Sequence, residues 1–338
     1  MSIKDKLRGK CPRWILHGYR YIRFPEYRNT CDRKHCFGKK NPDKTFFVFR
    51  NDMANWGIYT IIFDSFLNKL EQVLEKGYIP IFDLQNYRPF MLEDGQTFNL
   101  WERFFRLADD SPSLSEVYQS HNVIMGQLNS TELRQNSSEL NGFMSYITPN
   151  KMKIFNKYMC VNSEIENRVN DAYNELFPKG KKIMGIAIRE CYRYVNIRYK
   201  EEGTFKGHPI VSEPKKQIST IERYLEKWKC DMVYVVSDDR ECLEILKNYF
   251  KERIIYFGRP LMHFFQDGEI VIDDNEAWVE FDNSKKSRSE RMIDYMIEVE
   301  LLSRCNALLS GISSGAEAAL LRNAGKYENV EIYDTGRY

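Results

Sequence analysis

Between residues 183 and 333 short apolar runs alternate with amphipathic stretches, and this alternation restricts the fold more than any other feature of the chain. Ile183 to Ile188 is a run of strand length. After a polar stretch, 215–229 has a helical period and Met232 to Val236 is again a strand. A helix over 240–251, a strand from Ile254 to Phe257 and a helix over 290–304 follow. Ala307 to Leu309 is a strand, Gly311 to Gly315 opens a helix through Leu321, and Val330 to Tyr333 is the last strand. Strands buried on both faces and separated by helices of roughly 10–15 residues predict a parallel sheet wrapped by helices.

The first half repeats the theme once. Phe46 to Phe49 reads as a buried strand, and regular structure is expected to begin there, after a turn at Asn41-Pro42-Asp43. Tyr59, Ile62, Phe63, Phe66, Leu67, Leu70, Val73 and Leu74 recur at helical spacing up to Gly77, and Ile79 to Asp83 is the next strand. Phe98, Trp101, Phe104 and Phe105 form a helix face, and a helix containing Ile165, Val169, Ala172 and Leu176 runs to the break at Pro178-Lys179-Gly180. The expected organisation is an arm over 1–44, an α/β domain over 45–177 and a second over 178–338. The fold class is α/β, with two doubly wound units.

Charge separates the arm from the rest. Residues 1–44 hold thirteen Lys and Arg against four Asp and Glu, which leaves 37 against 44 in the remainder. Trp14, Tyr19, Tyr21, Phe24 and Tyr27 are interleaved with those cations. Three readings stay open: a solvated tail, an arm on an anionic membrane surface, or a nucleic-acid contact. The acidic body and the lack of a recognition motif speak against nucleic acid. No apolar run reaches membrane-spanning length, and MSIKDKLRGKCPRW has no apolar core of a secretory signal. Eight Cys scattered beside five His read as free thiols of a cytoplasmic protein, so the sequons at Asn129 and Asn136 are incidental. Cys31, His35 and Cys36 have loose spacing and no second pair, so no metal site is expected.

Ligands of open α/β sheets sit beyond the C-terminal strand ends. Three such ends carry chemistry. Arg189-Glu190-Cys191-Tyr192-Arg193 follows the strand ending at Ile188, where an arginine can hold a phosphate and a glutamate can act as a base. Ser237-Asp238-Asp239 precedes a helix, either as its cap or as carboxylates that hold ligand hydroxyls. Gly311-Ile312-Ser313-Ser314-Gly315 is a turn of small residues at a helix N-terminus, suited to phosphate; with no Lys after the glycines it is not a Walker loop. Gly207-His208-Pro209-Ile210 is a fourth marked segment.

Taken in this order, the four segments resemble the fucosyltransferase-like glycosyltransferases, the group of the α-1,6-fucosyltransferase and nodulation fucosyltransferase enzymes. The resemblance covers 183–323 and extends weakly to Asn55-Trp56-Gly57. It implies a GT-B-like fold, two Rossmann-type domains facing a cleft, and metal-independent, inverting transfer of a sugar, most often fucose from GDP-fucose, with no cofactor. Residue by residue it places Arg189 at the diphosphate, Asp238 and Asp239 near the donor, Ser313 and Ser314 at the phosphates, and Glu298 at the guanine. Arg193, His208 and Gly315 complete the donor side, and Asn55, Trp56 and Gly57 lie on the acceptor side. Glu190 is the first candidate for the base, with Glu202 and Glu201 behind it. The chain departs from the family at Ala187, where His is common, and at Glu190-Cys191-Tyr192, where Thr-Asp is common. Expected partners are a nucleotide sugar, a glycan or lipid-linked acceptor of surface polysaccharide synthesis and, through 1–44, the inner face of a membrane. A sugar-nucleotide-binding protein without catalysis is the rival reading.

Overall fold

The computed structural model describes residues 31–52, 57–87, 91, 96–107, 111–128, 140–188, 210, 214–259, 261, 265–266, 269–270 and 286–336. Two parallel α/β sheets organise them, the class that the alternation predicts.

The first sheet contains β1 (Arg33–His35), β2 (Lys40–Arg50), β3 (Ile79–Asp83) and β4 (Ser120–Met125) in the order β1-β4-β2-β3. The strands β2, β3 and β4 are mutually parallel, and β1 lies antiparallel on the free edge of β4. Phe46 and Val48 pack with Ile81, Val123 and Met125 on one face, whereas Phe47 and Phe49 join the larger core on the other. Side chains of a strand alternate between faces, so a strand covered on both sides reads as the unbroken run Phe46–Phe49. Among the described residues, regular structure begins at Arg33 rather than at Phe46. The strand β1 is wholly exposed and gains its order from pairing with β4, so no hydrophobic pattern announces it. The first helix, α1, joins Ile58–Ile61, a π-helical turn Ile62–Phe66 and Leu67–Glu75, and buries Leu67, Leu70 and Val73.

Short helices α2 (Leu100–Phe104), α3 (Leu114–Val117), α4 (Leu140–Tyr146) and α5 (Pro149–Tyr158) lead to α6 (Ser163–Leu176). The second sheet then takes β5 (Ile183–Ile188), α7 (Pro214–Trp228), β6 (Met232–Ser237), α8 (Arg240–Phe250) and β7 (Ile254–Ile255). The pair β8 (Phe265–Gln266) and β9 (Glu269–Ile270) stands apart, and α9 (Arg288–Leu302), β10 (Ala307–Gly311), α10 (Ser314–Asn323) and β11 (Asn329–Tyr333) complete it. Its strand order is β11-β10-β5-β6-β7, all parallel. From β5 the chain winds outward to β7 and then returns to β10 on the other side. The winding therefore reverses between β5 and β10, which is where such a sheet opens a crevice.

The two sheets share one apolar core. It runs from Phe49 and Phe63 through Phe155 and Ile165 to Tyr234 and Leu308. An ion pair and a hydrogen bond stitch the same seam: Arg168 of α6 meets Asp294 of α9 at 2.7 Å, and Arg322 of α10 donates to the Asn156 side chain of α5 at 3.0 Å. The helix α9 is thus clamped between both halves, and it carries two residues of the candidate site.

Candidate functional site

The loaded strand end after β6 begins with Ser237. The Asp239 amide donates to the Ser237 hydroxyl at 3.1 Å, and Asp239 in turn accepts from the Glu241 amide at 2.9 Å, capping α8. Its other carboxylate oxygen is buried with no hydrogen-bond partner. Burial outweighs the amide bonds and pushes the Asp239 carboxyl up to about 6. Asp239 is a cap first, and an acid with a spare acceptor second.

Asp238 turns the other way, to a residue that the sequence did not single out. Arg259 follows the turn at Gly258, whose φ of +81° favours glycine, just beyond β7. Its side chain is 9% exposed and bonds both Asp238 and Glu298 of α9. It also donates to the Ser237 carbonyl at 2.8 Å, and its guanidinium carbon lies 5.4 Å from the centre of the Tyr295 ring. Burial opposes the Arg259 charge, but the two carboxylates prevail and hold it above its ordinary pKa. The Glu298 carboxyl is pushed up to about 7 by burial, against the pull of Arg259. The buried Tyr234 hydroxyl donates to the Glu298 carbonyl at 3.3 Å, tying α9 to β6. Arg259 and Glu298 are 39 residues apart, so only the fold joins them. The available signal was Gly258-Arg259 after a strand, the same kind of position as the other loaded ends.

The third strand end is Gly311. The Ser310 hydroxyl donates to the Ala187 carbonyl at 3.3 Å, linking β10 to β5 at the point where the winding reverses. Ser313 caps α10 by accepting from the Ala316 amide at 3.2 Å, and Ser314 is the first helical residue. Gly315 sits in close packing: a Cβ there would meet the Tyr295 hydroxyl, which would have to move aside. Tyr295 also packs edge-on against Tyr59 of α1, with ring centres 5.9 Å apart. A Cβ on Gly57, which caps α1, would come 3.5 Å from Met292. Around α9, then, the fold gathers Asp238, Glu298 and Gly315 of the second half and Gly57 of the first. Asn55, Trp56, Arg189, Glu190, Arg193, Glu201, Glu202 and His208 lie outside the described residues.

A hollow of about 310 Å³ opens beside Arg259, lined by Ser237, Arg240, Lys247, Tyr256 and Glu298 among others. With Glu298 and Asp238 engaged by Arg259, and Arg240 at the start of α8, it can offer hydrogen-bond donors and a phenol to a polar ligand. Among the described residues no cluster of three or more His, Cys, Asp or Glu is placed to hold a metal ion.

No protein-family model matches the chain, and no curated protein matches it in sequence. Among solved structures the chain is similar to NodZ alpha-1,6-fucosyltransferase co-crystallised with GDP, at 13% identity and a TM-score of 0.45 over 82% of this chain and 92% of that one. Fucosyltransferase NodZ from Bradyrhizobium gives 13% identity and a TM-score of 0.42 over 82% and 92%. POFUT1 in complex with GDP gives 14% identity and a TM-score of 0.34 over 87% and 75%.

Proposed function

We propose that this protein is a glycosyltransferase that moves a sugar from a nucleotide-diphosphate donor, GDP-fucose in the closest form of the reading, to a glycan or glycolipid acceptor. The observation that carries it is the gathering of Asp238, Arg259 and Glu298 beyond the ends of β6 and β7, with Gly315 after β10, the strand at which the winding of the second sheet reverses against β5. Donor binding falls to 178–338 and acceptor binding to 45–177, with Asn55, Trp56 and Gly57 on the acceptor side.

The chemistry follows from charge. As the bond from sugar to diphosphate breaks, the anomeric carbon becomes oxocarbenium-like and the leaving diphosphate gains negative charge. A guanidinium and the free amides at a helix N-terminus can neutralise that charge without a metal. Arg189, helped by Arg193, follows β5, and the Ser313–Gly315 turn follows the neighbouring β10. His208, Asp238, Asp239 and Glu298 hold the rest of the donor. Glu190, with Glu202 as second candidate, takes the proton of the acceptor hydroxyl, which attacks the face opposite the leaving group and inverts the anomeric centre. Such an enzyme would serve surface-polysaccharide synthesis on the cytoplasmic side of a membrane.

A thermal-shift series with GDP-fucose, GDP, UDP-sugars and CMP-sugars tests the donor. A ligand at about 100 times its Kd adds roughly 2.7 kcal/mol, which raises the midpoint by several degrees. GDP-fucose and GDP are expected to stabilise most; a preference for UDP or CMP ligands overturns the guanine assignment. Glu190→Gln is expected to keep this shift and lose transfer, at least a hundredfold. Donor binding without hydrolysis or transfer on any acceptor replaces the enzyme with the binding protein.

A further inference from the structure

The strand β1 lies on the free edge of the first sheet, and the chain then passes the start of β4 to enter β2, a mostly exposed ribbon from Arg33 to Lys44. Arg33, Lys34, Lys39, Lys40 and Lys44 are all exposed, and among the described residues none has a carboxylate within ion-pair distance. Of the two acids in 31–44, Asp32 is already engaged, by Lys69 at 2.7 Å and by the Gln127 amide at 3.0 Å. Phe37 stacks on His35 with ring centres 5.3 Å apart, meets the edge of Tyr118 at 5.2 Å and still leaves 41% of its surface to solvent.

Cations on an edge strand also discourage pairing with other chains. That role explains Arg33 and Lys34 on β1. It does not explain an exposed phenylalanine among them, or the segregation of uncompensated cations here while residues 45–338 carry an acidic excess. An exposed ribbon of uncompensated cations holding an exposed aromatic ring matches an anionic lipid surface, where the charges lie at the headgroups and the ring enters the interface. Residues 1–30, which continue the ribbon in sequence, have the same composition: eight Lys and Arg, two acids and five aromatic residues.

We propose that this ribbon is a docking surface for an anionic membrane, with Arg33, Lys34, Lys39, Lys40 and Lys44 as the electrostatic contacts and Phe37 as the interfacial anchor. The inference stands apart from the donor assignment, because vesicle binding needs no turnover and nucleotide binding needs no vesicle. Each cation near an anionic surface contributes about 1 kcal/mol, so three of them change the affinity by on the order of a hundredfold.

The test is co-sedimentation of the full chain with vesicles of phosphatidylcholine alone or mixed with phosphatidylglycerol, at low and high salt. Duplex DNA and heparin serve as competing polyanions. Expected are binding to the mixed vesicles only, weakening with salt, a loss on the order of a hundredfold in the triple variant K34E/K39E/K40E, and a smaller loss in F37S. The neutral triple variant K34Q/K39Q/K40Q guards against a folding defect, and unchanged thermal midpoints confirm it. Unaltered vesicle binding in both triple variants overturns the proposal, as does binding to DNA or heparin with none to the mixed vesicles.

Discussion

Each sheet buries an arginine and an aspartate at or just beyond its C-terminal strand ends, but the two regions satisfy them differently. In the first sheet Arg50 donates to the Gly126 carbonyl at 2.8 Å and to the Tyr87 hydroxyl at 2.8 Å, both neutral acceptors. Asp83 accepts from the Gln85 and Asn86 amides, the Asn86 side chain and the Tyr118 hydroxyl, the last at 2.6 Å. Both of its oxygens are used. In the second sheet Arg259 is shared by two carboxylates, and one oxygen of Asp239 has no partner. Buried polar groups are normally paired, so a closed network marks structure, whereas spare capacity and raised carboxyl pKa values mark a place that can still take a ligand. The contrast agrees with the proposed placement of the donor in the second half.

Arg259→Met is expected to have the largest effect. It strands Asp238 and Glu298 in a buried site, and we expect a loss of about 3–5 kcal/mol near pH 8 in urea unfolding. A loss below about 1 kcal/mol would mean that water reaches those carboxylates and that the cluster is no buried pair. Asp83→Asn comes next. An amide cannot accept at its nitrogen, so part of the donor set around Asp83 goes unmet, at a cost of about 1–3 kcal/mol.

Asp239→Asn has the smallest effect and the most informative one. Asparagine still caps a helix, and the change removes a buried charge whose second oxygen has no partner. Stability at pH 8 is expected to stay within about 1 kcal/mol of the parent or to rise slightly. The pH profile separates the variants further. A carboxyl held at about 6 in the fold, against an ordinary 3.8, keeps a proton that the unfolded chain releases. Its contribution to stability is present below the lower value and is lost as pH rises to the upper one. Glu298, at about 7 against 4.5, acts in the same direction over a higher window. Urea midpoints should therefore fall between pH 4 and 7 in the parent and less steeply in Asp239→Asn, with the difference confined to the lower part of that range. An identical profile would remove Asp239 from the comparison.

Much of the second half was readable in sequence. The run Ile183–Ile188 and the helices after β6 and β10 carry local periods, and Asp239 and Ser313 carry local capping chemistry. β4 was not readable, because it opens on the polar run Ser120-His121-Asn122 and its buried apolar residues are only Val123, Ile124 and Met125. β1 was hidden for the reason already given, that an edge strand is ordered by its partner. In the site, Asp238 and Glu298 were legible only as acids at suggestive positions. Arg259, which binds both, was missed, since nothing within a few residues of it states its pairing.

What the sequence determined by itself is the class: alternating apolar runs and helical periods are local, and burial on both faces leaves a parallel α/β sheet as their solution. What only the tertiary structure decided is which charges meet. Arg259, Asp238 and Glu298 come from three separate elements, and Gly315 is closely packed because Tyr295 of another helix closes on it. Periodicity depends on neighbours along the chain, whereas a buried ion pair depends on where the chain returns, and that is settled only when the sheets and α9 pack together.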